Sequence, residues 1–114
     1  MTDLELTKLC AQAMGYKPDV RGKYRGLGSE FSGIWVNDSS LTFDPLHDDA
    51  QAMALVQKFH VHLYWNAAAS EPRWEAHSPG VIGFGSGHPY DQPEGLNRAI
   101  VECVANMWKA KALA

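Results

Sequence analysis

Apolar residues recur along this chain at helical spacing in three places. Thr2 and Glu5 stand at capping-box distance, and Leu6, Leu9, Cys10, Ala13 and Met14 follow at i, i+3, i+4, i+7 and i+8. The pattern predicts a helix over residues 3–14, terminated by Gly15. Asp48 and Gln51 repeat the cap spacing ahead of Ala52, Leu55, Val56 and Phe59, which predicts a second helix over 48–59. The longest stripe is Leu96, Ala99, Ile100, Cys103, Val104, Met107 and Trp108, opposed by Asn97, Arg98, Glu102, Asn106 and Lys109. It predicts a one-sided helix over 93–111, with Asp91 and Glu94 as caps and Pro93 in the first turn.

Between the helices the period drops to two. Phe59, Val61, Leu63 and Trp65 alternate with His60, His62 and Tyr64, and Trp74 and Ala76 alternate with Arg73, Glu75 and His77. These runs predict half-buried strands over 60–65 and 73–77 that pair antiparallel. Short apolar runs predict further strands at 34–37 and 41–43, and residues 79–87 leave room for a short, glycine-interrupted edge strand. The order α-β-β-α-β-β-α predicts one α+β domain over residues 1–114, a small, mainly antiparallel sheet covered by three helices.

Composition narrows the class. The chain has 114 residues, 46% hydrophobic and 20% charged, which is ordinary for one globular domain. A formal charge of −3 disfavours duplex nucleic acid and anionic membrane as partners. No apolar run approaches the roughly 20 residues needed to span a bilayer. The opening MTDLELTKLC lacks the basic flank and apolar stretch of a signal peptide. Cys10 and Cys103 show no paired spacing and fall on apolar stripes, as buried thiols in a reducing compartment do. The expected location is the cytoplasm.

The stretch from Phe43-Asp44-Pro45 through Asp48, Ala50 and Val56 resembles the F/Y-D/N-P…D…A signature of small bacteriophage accessory proteins, the phage ABA-sandwich domain family. Residues 7–15 are similar to that family's opening helix, and Asn97-Arg98-Ala99-Ile100-Val101 to the start of its closing helix. The resemblance touches about half of the chain and implies a three-layer α/β/α sandwich of phage origin in the host bacterial cytoplasm. It implies no catalytic residues. The segment 15–33 and the glycine-rich stretch near residue 83 depart from the family pattern.

Several residue groups bear chemistry. Lys17, Arg21, Lys23 and Arg25 alternate with Tyr16 and Tyr24 on a glycine-bearing segment. Guanidinium groups pair bidentately with phosphate, and tyrosine rings stack on bases. The competing reading is a solvated charged loop. Trp35 and Trp74 lie near loops, where a ring is placed to meet a ligand or to pack in the core. His60, His62 and His77 carry ligand types suited to zinc, but no cysteine or carboxylate completes a set by spacing, and no metal or other cofactor is expected. Gly26-Leu27-Gly28 and Gly83–His88 match neither a dinucleotide fingerprint nor a P-loop and read as tight turns. Asp44, Asp48 and Asp49 beside His47 read as helix caps rather than acid–base machinery. The serines stand in no nucleophile-elbow context.

Three functions fit this inventory. The first is a non-enzymatic protein that binds a small anionic molecule, specifically a nucleotide-derived host immune signal, through Lys17, Arg21, Lys23, Tyr24, Arg25, Trp35 and Trp74. The second is a phage protein that binds and blocks a host protein through exposed aromatic rings. The third is a metal-dependent hydrolase built on the histidines. A homo-oligomer is compatible with each, since binding pockets commonly form where two bodies meet.

Overall fold

The computed structural model describes residues 2–16, 34–36, 41–67, 73–78, 80–84 and 93–113. In chain order the elements are α1 (Asp3–Ala13), β1 (Ile34–Val36), β2 (Leu41–Phe43), α2 (Asp49–Phe59), β3 (His62–Asn66), β4 (Arg73–Ser78), β5 (Val81–Phe84) and α3 (Pro93–Leu113). β1 and β2 form an antiparallel pair, and β3, β4 and β5 form a separate antiparallel sheet in that order. The fold is α+β, as the periodicity predicts.

The caps explain where the first two helices start. Thr2 Oγ1 accepts the Glu5 amide at 3.1 Å, and Gly15 follows α1 with φ 81, a left-handed turn that glycine adopts without strain. Asp48 Oδ1 accepts the Gln51 amide at 3.0 Å. The Gln51 side chain turns to accept the Asp44 amide at 2.6 Å, which ties the end of β2 to the start of α2. The Thr2 hydroxyl, the Asp48 carboxylate and the Gln51 carboxamide are thus structural, and Thr2 and Asp48 cap the helices as the spacing predicts.

The end of α2 corrects one expectation. His60 does not open a strand. It is the left-handed C-cap of α2, with φ 54 and ψ 44, and its amide and that of Val61 both return to the Val56 carbonyl. Extended structure resumes only at His62. The alternation from residue 59 therefore runs across a helix end, and Phe59 belongs to the helix rather than to the sheet face.

α3 departs from a one-sided helix. Ala99, Ile100, Val101, Cys103, Val104 and Ala105 are all buried, and so is Asn97. Two residues apart on a helix is about 200° around it, so Ala99 and Cys103 face away from Asn97 and Val101. On the first side α3 packs on β4 and β5. On the other it meets α1, where Cys10 donates its thiol to the Val101 carbonyl at 3.3 Å. It also meets α2, where Asn97 Nδ2 donates to Asp49 Oδ1 at 2.8 Å and to the Leu46 carbonyl at 3.3 Å. Asn97 is thus a buried, satisfied polar tie rather than a surface residue. Leu6, Phe43, Leu46, Ala52, Leu55 and Val61 complete the core around this central helix.

Candidate functional site

Strand register sorts the sheet residues onto two faces. β3 and β4 place His62 opposite His77, Tyr64 opposite Glu75 and Asn66 opposite Arg73, all on one face, where Ile82 of β5 continues the row beside His77. Leu63, Trp65, Trp74, Ala76, Ser78, Val81 and Gly83 lie on the other face, the one on which α3 packs against β4 and β5. α3 comes so close there that Gly83 has no room for a side chain: an added Cβ would stand 2.9 Å from Cys103 Cβ and closer still to the Ala99 carbonyl.

The face turned away from α3 is polar and reaches solvent. Tyr64 is 54% exposed, Ile82 44%, and His62 is exposed as well. Glu75 is buried at its centre. Its Oε2 accepts Asn66 Nδ2 at 2.8 Å and Arg73 Nε at 3.2 Å, while Oε1 meets His77 Nε2 at 2.9 Å. The Asn66 amide, then His77 and Arg73, hold the Glu75 carboxyl below the usual carboxylate range, against the upward push of its burial. Glu75 is thus an anchored anion that orients a guanidinium and an imidazole. The Tyr64 ring stands edge-on to His77, with centroids 6.0 Å apart. The arrangement presents an aromatic ring, a guanidinium and two imidazoles on one face of the sheet.

The residues singled out from sequence fare differently. Lys17, Arg21, Lys23, Tyr24 and Arg25 lie outside the described residues, as do Gly26–Gly28, Gly85–His88 and Asp91. Trp35 occupies the middle of β1, opposite Thr42. Trp74 is half-buried on the α3 side of the sheet, edge-on to Trp65 with centroids 5.4 Å apart, and packs against the core. It therefore sits on the opposite face from Tyr64. His62 and His77 do come together as a cross-strand pair, whereas His60, at the helix cap, does not join them. Among the described residues no group of three or more His, Cys, Asp or Glu side chains is placed to hold a metal ion.

Two other chemical groupings have structural roles. His47 Nδ1 contacts Asp44 Oδ2 at 3.0 Å within the turn that leads into α2, and Asp48 and Asp49 cap that helix and tie it to α3. Cys10 and Cys103 are fully buried, and burial pushes both thiols up, away from the thiolate that nucleophilic chemistry needs. A groove of about 320 Å³ between α1 and α3 is lined by Leu6, Arg98, Glu102 and Asn106, with the Arg98 guanidinium engaged by Asp3 at 2.7 Å.

Tyr64, Arg73 and Glu75 were not candidates on sequence grounds. Their signal is the polar half of the period-two pattern, which reveals a site only once antiparallel register sets Arg73, Glu75 and His77 against Asn66, Tyr64 and His62. Comparison of the chain with protein-family models, with curated proteins and with solved structures finds no match in any of the three.

Proposed function

We propose that this chain is a non-enzymatic binding protein and that the polar face of its sheet receives a small anionic, nucleotide-like molecule. The observation that carries the reading is the grouping of the exposed Tyr64 ring with His62, Arg73 and His77 on one open face. A tyrosine ring stacks on a base, and a guanidinium and imidazoles donate to phosphate oxygens. Glu75 does not oppose an incoming anion strongly, because Arg73 already answers its charge. The cations Lys17, Arg21, Lys23 and Arg25 supply further phosphate ligands in this reading. The elevated, buried thiols favour binding over nucleophilic chemistry. On the resemblance to phage accessory proteins, the molecule is a nucleotide-derived immune signal that the protein holds intact in the host cytoplasm.

The test is a thermal-shift screen of cyclic dinucleotides, cyclic ADP-ribose isomers and ordinary nucleotides. A ligand at about 100 times its Kd stabilises the folded state by about 2.7 kcal/mol. For a domain of this size that raises Tm by on the order of 10 °C. Tyr64→Ala removes a stacking platform worth about 1–3 kcal/mol, or about 5- to 150-fold in affinity. Arg21→Ala, Lys23→Ala and Arg25→Ala report on the cationic segment separately. The ligand is recovered unchanged after denaturation. No shift with any nucleotide, together with co-purification of one host protein, favours instead a host-blocking role, for which exposed Tyr64 and Ile82 are suited.

A further inference from the structure

The same face holds a pair of side chains whose placement has chemical meaning of its own. His62 and His77 are directly opposite each other on adjacent antiparallel strands. Directly opposed residues have Cβ atoms about 4.5–5.5 Å apart and send their side chains to the same side. Two imidazoles so placed reach one cation at the ordinary metal–nitrogen length of about 2.0–2.1 Å. The second feature is the carboxylate behind one of them. His77 Nε2 lies 2.9 Å from Glu75 Oε1, and Asn66 and Arg73 hold that carboxylate in turn. This is how metal-ligating histidines are oriented: one ring nitrogen donates to a carboxylate, which fixes the tautomer and leaves the other nitrogen as a more basic ligand. His77 Nδ1 is the nitrogen left for a metal. His62 is exposed, so its ring turns toward Nδ1 without disturbing the core.

We infer that His62 and His77 form a two-imidazole site for a borderline divalent cation, with Glu75 as the positioning residue behind His77. Imidazole donors suit Cu²⁺, Ni²⁺ and Zn²⁺, with Cu²⁺ the tightest, and leave Mg²⁺ and Ca²⁺ unbound. Two protein ligands leave the remaining coordination positions to water or to an anion arriving from solvent. The site needs no third side chain and does not depend on what else the sheet face binds. His60 is excluded from it by the helix cap, although it stands two residues from His62 in sequence.

The test uses the full chain freed of metal with a chelator, with no nucleotide present. Titration calorimetry with Cu²⁺ and Zn²⁺ alone is expected to give one site per chain. His62→Ala and His77→Ala each weaken it at least tenfold, and His60→Ala leaves it unchanged. Glu75→Gln weakens it about tenfold without abolishing it, within the range that partners of this kind contribute. Electron paramagnetic resonance of the Cu²⁺-loaded protein is expected to show two coordinated nitrogens, and one in either single histidine variant. His62 is exposed, so His62→Ala remains folded and its melting curve checks this directly. Equal weakening by His60→Ala, or full affinity in His62→Ala, overturns the assignment. The nucleotide screen is read without metal, so either result stands without the other.

Discussion

Gly83 of β5 runs so close beneath Cys103 of α3 that a methyl group at position 83 would lie 2.9 Å from the Cys103 Cβ. The tighter obstacle is the Ala99 carbonyl, which is backbone and cannot swing aside. Gly83→Ala must therefore push β5 away from α3, and overpacking of this kind costs about 1–3 kcal/mol. Urea denaturation is expected to show a lowered midpoint. Cys103→Ala on the same background restores little, because the carbonyl contact remains.

Glu75 gives the acid side of the stability profile. Its carboxyl is held low by Asn66, His77 and Arg73, so its contribution is fully present above the ordinary glutamate range, about 4.3, and is lost as pH falls through the lowered folded value. Glu75→Gln is expected to lower stability at pH 7 by about 1–3 kcal/mol, the effect of breaking hydrogen bonds to a buried charge. The part of the gap that rests on the Glu75 charge is present above the ordinary glutamate range and closes as pH falls through the lowered folded value. Denaturation curves across pH measure both.

Asn97 links the central helix to α2. Asn97→Ala leaves the Leu46 carbonyl and Asp49 without their donor and is expected to cost about 1–3 kcal/mol. Asn97→Asp is expected to be worse, since it sets a second carboxylate against Asp49. Thermal unfolding of the two variants gives the order.

His60 holds a left-handed conformation that non-glycine residues adopt at a cost of about 1–2 kcal/mol. His60→Gly relieves the strain and gives back part of the gain through a freer unfolded chain. A net rise in stability of up to about 1 kcal/mol is expected in chemical denaturation. A large loss would mean that the imidazole itself is needed there.

How much of this was legible in the sequence depends on whether a signal was local. Thr2, Gly15 and Asp48 act through bonds to residues three or four positions away, so the ends of α1 and the start of α2 follow from spacing. The end of α2 at Phe59 agrees with the spacing, but β3 starts two residues later than the alternation predicts, because Phe59 fits both periods and only the left-handed backbone at His60 separates helix from strand. The second buried face of α3 was hidden because Asn97 counts as polar in any pattern, although Leu46 and Asp49 satisfy it in the interior. Gly83 read as a turn residue because nothing local reports a helix passing over a strand. Glu75 and its partners needed register, which pairs positions up to 15 apart, as in His62 with His77.

The claim that the open sheet face is the binding surface is tested most directly by following the histidine ring resonances during ligand titration. The chain has five histidines, and two of them, His62 and His77, flank the exposed Tyr64. Titration with a nucleotide that raises Tm is expected to shift the His62 and His77 ring signals together with those of Tyr64. His60 at the helix cap and His47 beside Asp44 are expected to stay still. Saturable binding that leaves His62, His77 and Tyr64 unmoved would contradict the account.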